Sequence, residues 1–101
     1  MSKRREWANA WAKVRDEQCC RVCGSTQIVD PAHIIARSRV TQGGEDPRNI
    51  VPLCRLCHMR ADQGTGLDLL PYLTRDEQAY AVELVGLAEA YQRLTGTRLA
   101  A

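Results

Sequence analysis

The chain has no phenylalanine, only two histidines and only 5% aromatic residues across its 101 positions. Without phenylalanine the apolar content is mostly Ala, Leu and Val, enough for one thin core and no more. With two histidines, any imidazole chemistry falls on His33 or His58. No stretch is long and apolar enough to span a membrane, and neither a low-complexity run nor a repeat of domain size occurs. The opening Met1-Ser2-Lys3-Arg4-Arg5-Glu6 runs into polar-interrupted sequence with no apolar core of a secretory leader, so a cytoplasmic, reducing location is expected and disulfides are not.

Cysteine, by contrast, is plentiful and patterned. Cys20-Arg21-Val22-Cys23 and Cys54-Arg55-Leu56-Cys57 are two CxxC pairs; His33 lies between them and His58 directly follows the second. Each pair presents two thiolates from one tight knuckle, and two knuckles brought together close a tetrahedral sulfur site that suits zinc and leaves no open position for chemistry. Other uses of the same residues fit less well. Haem attachment through Cys54-Arg55-Leu56-Cys57-His58 needs export and leaves Cys20 and Cys23 unexplained. A thioredoxin-like CxxC opens a helix, whereas Cys23 is followed by the turn residues Gly24-Ser25-Thr26. Cys19 is the odd thiol, either a bystander or a replacement for Cys20 in the first knuckle.

The net charge of +2 conceals an asymmetry. Residues 1–60 hold eleven Lys/Arg against six Asp/Glu, a net of +5, while residues 61–101 hold three against six, a net of −3. The basic half contains both CxxC pairs and both histidines, which suggests a polyanionic partner there. Arg4 to Gln18 reads as a helix with Trp7, Trp11 and Val14 on its apolar side, the tryptophans serving as core. Gln27 to Ile35 reads as an irregular strand carrying His33; Arg37 to Arg48 as a loop; Asn49 to Leu53 as a second strand; and Arg55 to Gln63 as a helix stopped by Gly64 and Gly66. Thr74 and Glu77 form a capping box opening one helix of about five turns, with Tyr80, Leu84, Leu87, Tyr91 and Leu94 as its stripe and Gly96 as its end.

Taken in order, Cys20-x-x-Cys23, Ala32-His33-Ile34-Ile35, and Asn49-Ile50-Val51-Pro52-Leu53-Cys54-x-x-Cys57-His58 resemble the HNH (His-Asn-His) endonuclease family in its four-cysteine zinc form. The resemblance covers about residues 20–62. It implies an α+β fold: a ββα-metal core with a four-cysteine zinc site at Cys20, Cys23, Cys54 and Cys57, wrapped by N-terminal and C-terminal helices in a single domain over 1–101. Small size and a basic N-terminal half also resemble the stand-alone phage members, which implies DNA as partner and, by family habit, phage DNA-packaging proteins.

Carried over residue by residue, the resemblance makes His33 the general base, Asn49 the structural Asn and His58 a ligand of a catalytic divalent ion, Mg²⁺ or another such as Mn²⁺ or Ni²⁺. The residue types suit the reaction. Phosphodiester hydrolysis needs a proton acceptor for the attacking water, and neutral imidazole titrates near working pH. One departure stands out: the position before the base histidine, often a second metal ligand in the family, is Ala32. Asp62 lies one helical turn after His58 and can complete the site, with Asp30 as the weaker alternative. Arg37 and Arg39 after the first strand, and Arg55 and Arg60 around the helix, are expected to clamp the DNA backbone. Two other functions remain open: a zinc-finger-like DNA- or protein-binding module that has lost cleavage, favoured by Ala32, and an adaptor acting through the C-terminal helix.

Overall fold

Pro31 and Pro52 stand directly opposite each other where two short strands meet, β1 (Val29–His33) and β2 (Ile50–Cys54), in a computed structural model that describes residues 3–62 and 67–95, without the side chains of 3–7. The antiparallel register runs from Val29 opposite Cys54 to His33 opposite Ile50. Just beyond the strands, the Ile34 amide donates to the Asn49 carbonyl (2.7 Å) and the Arg55 amide to that of Ile28 (3.0 Å). Hydrogen-bonded pairs alternate along such a ladder, so the two prolines occupy a non-hydrogen-bonded pair, and neither missing N–H weakens it. The outward carbonyl of Pro52 instead accepts from the Arg21 amide (2.9 Å), which ties the first knuckle to β2.

β2 leads without a gap into α2 (Arg55–Asp62), giving the ββα unit expected. Ile28, held at φ 49°, where a β-branched residue is rarely found, supplies the carbonyl that holds the first amide of α2. All five residues of β2 are buried, and Ile34, Ile35, Val51, Leu53, Cys20, Cys54, Cys57 and Ala61 share one core cluster. Between the strands the chain makes 3-10 turns at Arg37–Arg39 and Pro47–Asn49, the second capped by the Asp46 side chain.

α1 (Lys3–Glu17) packs across both strands. Its buried face is Ala10 and Val14, one turn apart, whereas Trp11 is 45% exposed, so the expectation of a core tryptophan at 11 is corrected. Residue 11 falls about 100° around the helix from Ala10 and so leaves the seam that Ala10 and Val14 make. The side chain of Trp7, and the stops expected at Gly64, Gly66 and Gly96, lie outside the described residues. A buried charge cluster joins α1 to the C-terminal part. Glu77, 3% exposed, accepts from Lys13 (2.5 Å) and Arg21 (2.5 Å) while closing the capping box with Thr74. Burial works against its ionisation, but Arg21, Lys13 and the Thr74 amide outweigh it and hold the carboxyl below its usual range.

The single C-terminal helix expected over 74–95 is two helices, α3 (Arg75–Val85) and α4 (Leu87–Thr95). Gly86 at φ 87° ends the first, its amide donating to Val82, and its carbonyl opens the second by accepting from Ala90. The apolar stripe therefore does not continue on one face: Tyr80 and Leu94 are buried, while Leu87 (72%) and Tyr91 (58%) are exposed. α4 is anchored by buried Ala90 and Leu94, and the Leu94 carbonyl accepts from the Leu69 amide (2.7 Å).

Candidate metal centre and histidine cleft

The four cysteines of the two CxxC pairs converge at the corner between β2 and α2. Their sulfurs all lie within 4.8 Å of one another, and Cys23 and Cys54 are 3.6 Å apart. The first knuckle owes its shape to Gly24 at φ 78°, whose amide donates to the Cys20 carbonyl (2.9 Å), while the Cys20 amide donates to Ser25 (2.8 Å). Burial opposes ionisation of Cys20, yet the backbone amides of Cys23, Cys54 and Val22 overcome it and bring the thiol down to about 7. Cys57 is pushed the other way, by burial first and then by its neighbouring thiols, including the charge at Cys20. Four thiolates in this space repel one another unless a cation sits among them, so the donor set fits one bound metal ion. Cys19 is half-buried and stands outside the group, so Cys20 is the knuckle residue.

A second, open site lies on the other side of β1's end. His33, Ala36, Arg37, His58, Asp62 and Arg93 line a cleft of about 430 Å³. The structure thus brings together both histidines and one of the candidate carboxylates from two elements, β1 and α2. His33 ends β1, and its Nε2 donates to Glu45 Oε1 (2.9 Å) in the intervening loop. A carboxylate only accepts, so that pairing places a proton on Nε2, and in the neutral ring the basic nitrogen is Nδ1. Arg37 also donates to Glu45 (3.2 Å).

Asn49 is buried where β2 begins. Its Nδ2 donates to the carbonyls of Ile35 (3.0 Å) and Gly44 (2.8 Å), and its Oδ1 accepts from the Ile35 amide (2.8 Å). These three bonds close the loop onto the segment after His33 and fix how that segment leaves the sheet. His58, in the first turns of α2, has carboxylates at both ring nitrogens: Asp30 Oδ2 is 3.6 Å from Nδ1 and Asp62 Oδ2 is 3.2 Å from Nε2. Two adjacent ligands of one octahedral ion, each about 2.1 Å from it, stand about 3.0 Å apart. His58 Nε2 and Asp62 Oδ2 fit that spacing; Asp30, at the opposite edge of the ring, is placed to orient the imidazole instead.

Ala32 is 2% exposed, within the apolar core and opposite Val51. Alternation along a strand puts Ala32 on the face of β1 that carries Asp30, and His33 on the other. Of the four arginines expected on DNA, only Arg37 lines the cleft. Arg39 makes a two-pronged pair with Glu89 of α4 (2.8 and 2.6 Å), Arg55 reaches Asp30 (3.3 Å), and Arg60 is exposed on α2. Two residues that the sequence does not single out also reach the candidate site, Glu45 through His33 and Arg93 in the cleft lining. Nothing local marks Glu45; Arg93 carries one faint sign, a basic residue in the last turn of a helix within the acidic half.

Residues 20–63 match the family model described as HNH endonuclease. No curated protein and no solved structure matches the chain.

Proposed function

We propose, from the HNH endonuclease segment at residues 20–63, that the chain is a metal-dependent DNA endonuclease in which the cysteines hold structural zinc and the histidine cleft hydrolyses the phosphodiester. The observation that carries the reading is the meeting of His33, His58 and Asp62 in one open cleft, apart from the closed thiol site. Four sulfurs at about 2.3 Å from one zinc stand about 3.8 Å apart, a spacing the Cys23–Cys54 separation of 3.6 Å approaches.

In the cleft, His33 takes the proton of the attacking water on Nδ1, with Glu45 holding Nε2 so that the imidazolium formed is stabilised in place. Asn49 keeps that histidine's segment in register. His58 and Asp62 would hold the divalent ion, Mg²⁺, Mn²⁺ or Ni²⁺, with Asp30 steadying the imidazole. When bound, that ion stabilises charge on the scissile phosphate and on the departing 3′-oxygen. Arg37 is the cleft residue suited to meet a phosphate, and Arg60 one that reaches flanking backbone. Arg39 and Arg55 serve there only by exchanging Glu89 and Asp30 for phosphate. Products carry 5′-phosphate and 3′-hydroxyl ends.

A second reading, a DNA-binding module that does not cleave, draws on Ala32: with that position in the core, two side chains, not three, face the ion. Incubation of supercoiled plasmid with zinc-loaded protein and Mg²⁺, Mn²⁺ or Ni²⁺ distinguishes the two. Nicking that chelator abolishes is expected. Retardation of the plasmid without any nicking across all three ions favours the binding module.

A further inference from the structure

We infer that Arg93, contributed by α4 from outside the matched segment, is a positioning residue that sets the geometry of the histidine cleft; the inference rests on the nuclease reading above. Its planar guanidinium touches both walls. Nε donates to the Ile34 carbonyl (2.7 Å) and Nη2 lies 3.4 Å from that of His33, at the end of β1. On the other wall, Nη1 donates to the Ala61 carbonyl (2.5 Å) and Nη2 faces Asp62 Oδ1 (3.4 Å), at the end of α2.

Each contact has a physical consequence. The last carbonyls of a helix have no partner within it, so Arg93 supplies α2 with a terminal cap from another element. By gripping Ile34 and Ala61 at once it fixes the distance between the strand that presents His33 and the helix that presents His58. Asp62 is shared: Oδ1 faces Arg93 while Oδ2 faces His58. A carboxylate held by one oxygen offers the other in a set direction, as supporting partners of metal ligands do. The helix behind this arm is itself fixed, by the Leu94 carbonyl to Leu69 and by Glu89 to Arg39. Lysine cannot substitute, because its ammonium is a point donor and not a fork wide enough for both walls.

The test uses the full chain with Arg93→Met and Arg93→Lys, measuring zinc content, thermal unfolding, Mn²⁺ affinity by electron paramagnetic resonance without DNA, and cleavage kinetics. In both variants, at a temperature below the onset of unfolding, Mn²⁺ affinity is expected to fall roughly tenfold or more, the lower end of what losing a supporting partner costs. Zinc stays at wild-type content, kcat falls, and KM for DNA moves little, a split that neither a packing role nor a direct phosphate contact produces. Combined with Asp62→Asn, the loss of Mn²⁺ affinity is less than additive, because both changes act on one ligand. If Arg93→Met does not fold, Arg93→Lys, which keeps the stem and the charge, decides. A folded Arg93→Lys protein with wild-type Mn²⁺ affinity and kcat overturns the inference and leaves the nuclease reading standing. Wild-type protein that neither binds Mn²⁺ nor cleaves overturns both.

Discussion

The thiol corner lies where β2 meets α2 and the histidine cleft between the end of β1 and α2, and they are built in opposite ways. At the corner, four like groups converge from two local knuckles, three of them buried, in a set that fits one metal ion. In the cleft, unlike groups converge from a strand, a loop and two helices, and nearly every one is held by another: His33 by Glu45, His58 by Asp30 and Asp62, Asp62 by Arg93. A site saturated by its own ligands has no position for a substrate. A site assembled from oriented but accessible partners has one. On the proposed function, stability falls to the first and chemistry to the second.

The contrast breaks first at the corner. Cys57→Ala leaves three thiols around the ion, and since structural zinc contributes on the order of 10–16 kcal/mol to small metal-organised domains, the ββα unit is expected to lose its fold. Elemental analysis and circular dichroism check it: zinc well below one equivalent with lost structure is expected, whereas a native fold without zinc removes the corner's structural role. Next comes Ala32→Asp, which asks on which side of β1 that position lies. Buried against Val51, a carboxylate there is expected to cost several kcal/mol and lower the melting temperature without easing the metal requirement. A stable variant needing less Mg²⁺ would put residue 32 at the cleft. Smallest is Asp62→Asn, an exposed change with little effect on folding that is expected to raise the Mn²⁺ concentration for half-maximal cleavage on the order of tenfold. An unchanged metal titration removes Asp62 from the ion.

How legible each region was in the sequence follows from how local its cause is. Cysteine spacing is a chemical constraint within four residues, so the corner could be read directly and the structure gathers the sulfurs expected. Cys19 had been left open and falls outside. The two histidines fall on the elements expected, because the strand, loop, strand, helix order is written in proline, glycine and β-branched residues, whereas Asn49, expected to open the second strand, closes the 3-10 turn just before it. The misreadings all involve three-dimensional choices. A period of apolar residues ran through Gly86, yet one residue at positive φ splits the helix and turns Leu87 and Tyr91 to the surface. The spacing of Trp7, Trp11 and Val14 marks Trp11 as core, while Ala10 and Val14 occupy the seam. Glu45 and Arg93 reach the cleft from 12 and 60 residues beyond His33, a distance over which no short-range pattern carries information.

The most direct test of this division is the cleavage rate of His33→Ala, measured beside its zinc content. The account predicts a protein with wild-type zinc and melting temperature whose plasmid-nicking rate is lower by roughly 10²–10⁴-fold, the contribution of a general base. Wild-type nicking by folded, zinc-replete His33→Ala would contradict it.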